Sequence, residues 1–427
     1  MRKIKGKYYS KGVIGIATIL LMMGLLTGTH VAAQKATVSF YSWMAAEVVA
    51  GGISVLEDAE KRFEKLNPGV DIKTVPFPYE ETADQLTLMT AAGNPPDITT
   101  IDVVWLAPLV YMGGLQPLDE FITPSFKSDM IEAAYKDGLL KGKLYALTWN
   151  PNPNALFYNK DLLKRAGFAS PPANMKEFDE QIAAISALGP DIYGTVIQSD
   201  LSTLAADYFH TWLWNFGGEL VDEEGKVVVN EKGAIDALAW FKGVTDNKYS
   251  PKGQYIRDIR VLFSQRRAGF IIEGPWIAGI LRGEGMKDEE WDLSTIPGSP
   301  IAGPLGYTQP AHHMLVMSKQ CKNKEWAWKY MEFMVSDPEV SKVYFQNTGL
   351  MPVLGSAYVD EVYATKFVRT FFEQMKAMKK PSIWNSPRYA EAERFFMVAV
   401  QKATMKGVDP QKALDEVAES LKILLGG

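Results

Sequence analysis

Between Ala36 and Asp102 the spacing of apolar positions alternates between two periods. Ala36 to Trp43, ATVSFYSW, alternates into an apolar run and predicts a strand. Val55, Ala59, Phe63 and Leu66 recur at helical spacing, and Asn67-Pro68-Gly69 ends that helix. Val70, Ile72 and Thr74 alternate as a second strand. Tyr79, Ala83, Leu86 and Met89 mark a second helix, stopped by Gly93 and Pro95-Pro96. Asp97 to Ile101 is a third strand ending at Asp102. Strands alternating with helices at this rhythm predict an α/β fold built on a largely parallel sheet.

The pattern changes at Gly142 to Asp161, GKLYALTWNPNPNALFYNKD. Leu144 to Leu147 and Ala155 to Tyr158 read as two apolar strands, and Lys160 to Ala166 opens a helix. Between the strands lies Trp149-Asn150-Pro151-Asn152-Pro153-Asn154. Each Pro lacks an N–H, fixes φ and pushes its preceding Asn toward extended backbone. The segment reads either as a surface loop with Asn-Pro turns or as a crossing between two lobes, with Trp149 and Asn150 facing the cleft. Beyond it, helices are expected at Lys176 to Ala187 and Leu204 to Phe216, with a strand at Tyr193 to Gln198. Asp222 to Lys226 reads as a hairpin turn before a strand at Val227 to Val229, and Ala268 to Ile272 as a buried strand ending at Glu273. Gly- and Pro-rich Pro297 to Pro310 is the candidate second passage. Asp409 caps a closing amphipathic helix, with Pro410 at its first position.

Composition adds compartment and partner class. At 427 residues, 47% hydrophobic and 22% charged, the chain has material for two or three cores. The basic residues Arg2, Lys3, Lys5, Lys7 and Lys11 precede an apolar run and the small residues Val31-Ala32-Ala33. This predicts an export signal over 1–33, cleaved or else kept as a membrane anchor. Loss of that leader takes the formal charge from −5 to about −10, which argues against non-specific binding of nucleic acid. Cys321 is the only cysteine, so no internal disulfide is possible.

Absent motifs narrow the chemistry. There is no HExxH, no paired Cys, no phosphate-binding Gly-rich loop and no Gly-x-Ser-x-Gly elbow, so neither a metal nor a cofactor is expected. Carboxylates are plentiful, and spacing alone neither picks nor excludes a glycosidase pair. What stands out is aromatic residues beside polar ones at predicted strand ends and loops: Trp43; Asp102 with Trp105; Trp149 with Asn150; Tyr208 with Trp212 and Trp214; Glu273 with Trp276; and Tyr307 with Gln309. Aromatic rings cover the C–H faces of a sugar, while Asp, Glu, Asn and Gln bond its hydroxyl rim. Ligands of open α/β sheets sit at the carboxyl ends of strands. The competing reading is that the aromatics are core, which holds for Trp240, Trp326, Trp328 and Phe333 inside helical patterns. Asp102 and Glu273 could instead be caps or turn acids, and His312 and His313 read as structural. A phosphate ligand would want converging cations, for which Arg388 and Arg394 are the positions to watch.

The ordered stretches FEKLNPGV, AGNPPDI, GGLQPLDEFI, GKLYAL, ALFYNKDLLKRAGF, NFGGELVDEEGKVVVN, FSQRRAGFIIEGPW and NTGLMPV carry a resemblance over nearly the whole chain. It resembles the family 1 extracellular solute-binding proteins of ABC importers, the maltose-binding-protein-like group. The resemblance implies a two-lobe periplasmic-binding-protein-like fold (class II). Each lobe would be a mainly parallel sheet flanked by helices, joined by hinge crossings. It places lobe 1 at 34–148 plus 308–348 and lobe 2 at 149–307 plus 349–427. It implies a monomer without catalysis that delivers its solute, expected to be a carbohydrate and more specifically an oligosaccharide, to ABC permease subunits. The Gly-Pro-Trp turn commonly presents its Trp to the sugar, which points to Trp276 with Glu273 beside it. The segments after the first and third strands commonly reach the ligand, which supports Trp43, Asp102 and Trp105. Where some sugar binders carry charges soon after the first strand, this chain has Met44-Ala45-Ala46 before Glu47. The expected ligand set is therefore Trp43, Glu47, Asp102, Trp105, Trp149, Asn150, Tyr208, Trp212, Glu273, Trp276, Tyr307 and Arg388. Two alternatives stay open: the same fold binding a polyol phosphate or a peptide, and a secreted glycoside-active enzyme.

Overall fold

The computed structural model describes residues 35–45 and 55–426. The expected leader and Glu47 lie outside them. Thirteen strands are present among the described residues. They are β1 (Ala36–Ser42), β2 (Val70–Pro76), β3 (Ile98–Asp102), β4 (Leu139–Leu140), β5 (Lys143–Leu144), β6 (Ala146–Asn150), β7 (Ala155–Asn159), β8 (Tyr193–Val196), β9 (Ala268–Glu273), β10 (Trp291–Ser294), β11 (Pro297–Ser299), β12 (Gly303–Leu305) and β13 (His313–Met317). They form a five-stranded sheet, β2-β1-β3-β13-β6, and a four-stranded sheet, β10-β7-β9-β8, plus two small hairpins. Helices pack over both main sheets to give the two-lobe α/β architecture.

In each sheet one strand runs against its neighbours. β1 pairs in parallel with β2 and β3, and β8 with β9. β13 is antiparallel to β3 and β6, and β7 is antiparallel to β9 and β10. Each reversed strand is the first main-sheet strand after a passage between the sheets: β7 follows β6 of the five-stranded sheet, and β13 follows β10 of the four-stranded sheet by way of the separate β11–β12 hairpin. The register therefore sets carboxyl ends beside amino starts at one shared edge. His313 pairs with Asp102 and Asn150, and Ala155 pairs with Glu273.

The two connectors between the sheets lie side by side. Pro153 bridges to Pro310. Ala311 N donates to Asn152 O (2.8 Å), Asn152 N donates to His312 Nδ1 (3.0 Å), and Asn154 N donates to Thr308 Oγ1 (3.1 Å). Pro151, Pro153 and Pro310 have no N–H to give, so the intervening asparagines carry the bonding that a plain ladder would. The strand before the first crossing runs on through Trp149 and Asn150 and stops only at Pro151, because the first missing donor comes there.

Each lobe has its own core. One centres on Phe157, Phe178, Phe209, Phe241, Phe270 and Phe396, and the other on Phe40, Phe63, Trp149, Trp328 and Tyr330. Local rules are visible at the caps. Ser202 accepts from Ala205 N at the start of helix Thr203–Asn215, and Asp409 accepts from Lys412 N at the start of helix Pro410–Leu425. Val227 to Val229 is not a strand. Asp222 accepts from the backbone N–H of both Glu224 and Lys226, which ties the turn off locally, and only an isolated Val221–Val227 bridge forms. No described helix is long and apolar enough to cross a membrane.

Candidate functional site

A cavity of about 390 Å³ opens at the edge where the strand ends of both sheets meet. Lobe 1 contributes the turn Trp43–Ala45 after β1, Asp102 at the end of β3, Tyr79 and His313. Lobe 2 contributes three helix faces. Leu204, Asp207 and Tyr208 lie at i, i+3 and i+4 on helix Thr203–Asn215. Ile256, Arg257, Arg260 and Val261 share one side of helix Ile256–Ser264. Trp276, Ile280 and Glu284 are spaced by four along and beside helix Ile277–Gly283. The connectors add Asn154 and Gln309 to Ala311.

Two aromatic assemblies wall this space. Trp43 meets Tyr79, Trp105 and His313 edge to face, with ring centroids 5.2, 5.6 and 5.4 Å apart. Trp276 stacks on His313 across the cleft at 5.5 Å and 23°. Its ring lies over Gly274, where an added Cβ would sit 2.3 Å from the indole carbons. Glu273 anchors the lobe 2 wall. It is fully buried and accepts from Trp276 Nε1 (2.7 Å), Tyr208 Oη (2.9 Å) and both Arg260 Nε and a terminal Arg260 nitrogen (2.5 and 3.1 Å). One carboxylate thus orients three cavity side chains at once.

Burial dominates the electrostatics. Asp102 accepts from Tyr79 Oη (3.1 Å) and Val104 N (3.3 Å), yet desolvation pushes its carboxyl up to about 6. Asp207 accepts from Gln309 Nε2 (2.6 Å) and Tyr389 Oη (2.9 Å). Burial, then the charges of Asp102 and Glu393, push it well above the usual carboxylate range. Burial, then neighbouring His312, lower His313 to about 3, so its imidazole is neutral. Asn154 Oδ1, Gln309 Oε1 and His313 Nδ1 are buried and have no partner within the protein. The described residues hold no cluster of three or more His, Cys, Asp or Glu suited to a metal ion.

Of the residues singled out from sequence, Trp43, Asp102, Tyr208 and Trp276 line the cavity together. Glu273 and Trp105 stand directly behind them, Trp105 against both Trp43 and Tyr79. The other described ones lie elsewhere. Trp149 points into the lobe 1 core, stacked on Tyr344 at 4.6 Å and 14°. Asn150 donates to Met351 O (3.1 Å). Alternation sends the two to opposite faces of the strand, Trp149 into the core and Asn150 to the Met351 carbonyl, so neither lines the cavity. Trp212 stacks on Phe178 in the lobe 2 core, one helical turn beyond Tyr208 and pulled inward by the apolar sheet face. Tyr307 packs edge-on against Trp214 beneath Lys379. Arg388 is exposed and pairs with Glu391 (3.3 Å); its neighbour Tyr389 is the residue that reaches Asp207. Gln309, noted beside Tyr307 in the sequence, lines the cavity, as does His313, which reads as structural in the sequence; Tyr79, Asn154, Asp207, Arg257 and Arg260 line it without having been selected. For Asp207 the signal was available: it precedes Tyr208 on the same face as Leu204.

The chain matches the bacterial extracellular solute-binding protein family over residues 46–340. A Brucella abortus (strain 2308) protein described only as a binding protein is 30% identical over 338 residues, covering 77% of this chain and 80% of its own. The maltodextrin-binding protein MdxE of Bacillus subtilis (strain 168) is 26% identical over 316 residues, 70% of each chain. Maltose-bound MalE3 of T. maritima superposes with a TM-score of 0.80 at 23% identity, covering 91% of this chain and all of the other. That last likeness extends the agreement to the two-lobe fold. The chain belongs to the bacterial extracellular solute-binding proteins.

Proposed function

We propose that this protein captures a carbohydrate between its two lobes and delivers it to the permease subunits of an ABC importer, without acting on it chemically. The observation that carries this reading is the composition of the cavity: Trp43, Tyr79, Tyr208 and Trp276 around acceptors from Asp102, Asp207, Asn154 and Gln309. Ring stacking contributes roughly 1 kcal/mol per good contact. Hydrogen bonds to charged groups contribute about 1.5–3 kcal/mol each and fix orientation. Because the walls belong to different lobes, a solute that touches both favours the closed arrangement, and closure is what a permease can read. Sugar binding by the relatives MdxE and MalE3 supports the class of solute. The protein is expected to be exported and to work as a monomer.

A thermal-shift screen over mono- and oligosaccharides tests the proposal. A sugar present at 100 times its dissociation constant adds about 2.7 kcal/mol of stability. Isothermal titration calorimetry of the hits should then give one site per chain and recover the sugar unaltered. Hydrolysed product would instead assign Asp102 and Asp207 to a glycosidase pair.

A further inference from the structure

We infer that the solute carries a protonated amine, held between Asp102 of lobe 1 and Asp207 of lobe 2; resting on the carbohydrate reading, this makes the ligand an aminated sugar. The partners of both carboxylates lead there. Asp102 is 7% exposed, and its described donors are a tyrosine hydroxyl and a backbone N–H. Asp207 is held through Oδ1 alone, by an amide and a tyrosine hydroxyl. All of these donors are neutral, and neither carboxylate has a described ion pair. Burial and mutual repulsion make such a pair with only neutral hydrogen-bond partners retain a proton, and a shared cation displaces that proton and lets both ionise.

The rest of the space points the same way. The unpartnered Asn154 Oδ1 and Gln309 Oε1, with their residues 3% and 2% exposed, are further acceptors on the connectors that border both lobes. The part of a solute that meets Asp102, Asp207, Asn154 and Gln309 must therefore donate. An ammonium offers three donors and no acceptor, and Trp43, Tyr79 and Trp276, which line the cavity, are residue types that suit a cation as well as a sugar. The cavity's own cations, Arg257 and Arg260, belong to one helix of the lobe 2 wall, where Glu284 also lies and Glu273 engages Arg260 from both nitrogens. Among the described residues they make no ion pair with Asp102 or Asp207.

Calorimetry with matched probes tests this. Glucosamine, galactosamine, mannosamine and the β-1,4-linked dimer of glucosamine would each be titrated beside the neutral sugar bearing a hydroxyl in place of the amine. In the tightest-binding pair the amine should bind roughly ten-fold or more tightly, the gap between charge-assisted and neutral hydrogen bonds. Asp207→Asn should abolish most of that preference, and Asp102→Asn provides the same reading should the first variant fail to fold. A neutral sugar binding as tightly as its amine partner overturns the inference and leaves the carbohydrate reading standing. A preference that survives in both variants also overturns it. No binding by either member of any pair, in a protein that melts cooperatively, overturns the inference, and a protein that the wider sugar screen also leaves unshifted overturns the carbohydrate reading with it.

Discussion

Replacing Glu273 by Gln should be the most informative single change in the lobe 2 wall. The side chain keeps its shape but loses its charge, and one acceptor oxygen becomes an NH₂ donor. That donor must then face Arg260, Tyr208 or Trp276, all of which donate to Glu273 at 2.5–3.1 Å. Removing one partner of a buried ion pair costs about 3–5 kcal/mol. Arg260 retains 22% side-chain exposure and can turn partly to water, which sets the expectation near the lower end, about 3 kcal/mol. For a folding unit of about 200 residues this lowers Tm by roughly 6–12 °C. Trp276 loses its anchor at the same time, so sugar affinity should fall by about ten-fold or more even where the variant is fully folded. Circular-dichroism melts and calorimetry read the two effects separately, and a double-mutant cycle with Arg260→Gln isolates the pair. A Tm within about 2 °C of the parent, or strictly additive losses in the cycle, would refute the idea that Glu273 organises this wall.

Other expectations follow from the same geometry. Trp276→Ala should weaken binding by about ten-fold or more in calorimetry while the melt stays cooperative, since the ring is only part-buried and stands at the wall. Gly274→Ala should weaken binding similarly, because its Cβ displaces the Trp276 ring that lies 2.3 Å from that position; unchanged affinity would contradict the placement. Trp149→Ala should destabilise by about 3–5 kcal/mol in urea unfolding, as its ring is core, with any folded fraction retaining parental affinity. Asp102, raised from 3.8 to about 6, binds more protons folded than unfolded, so its contribution to stability falls as pH rises from about 4 to 6 and is flat above. Asp102→Asn should remove that fall, gaining on the parent by about 3 kcal/mol between pH 4 and 7 in urea midpoints while binding sugar more weakly. A pH-independent difference between the two proteins would contradict the burial argument.

The sequence made the framework legible where local signals and burial agree. The strand–helix alternation from Ala36 to Asp102, the asparagine-proline crossing and the Asp409 cap all recur in the structure. Strand ends proved informative because sheet geometry delivers them to one edge: Trp43, Asp102 and Trp276 reach the cavity from three separated segments. Trp149 and Trp212 show where the reading ran out. Both neighbour polar residues in sequence, yet strand alternation turns Trp149 into a core, while Trp212, on the same helix face as Tyr208 but one turn further on, has passed the cavity and packs on Phe178; neither outcome can be set without knowing what covers each face. His313 was illegible for another reason. Its place depends on β13 inserting between β3 and β6, a pairing between residues more than 160 positions apart.

Small-angle X-ray scattering during titration with the tightest sugar from the screen tests the central claim most directly. If the two lobes close on a solute that both must touch, the radius of gyration falls with added sugar and saturates at one equivalent per chain. A scattering curve that stays unchanged while calorimetry shows the site filled would contradict it.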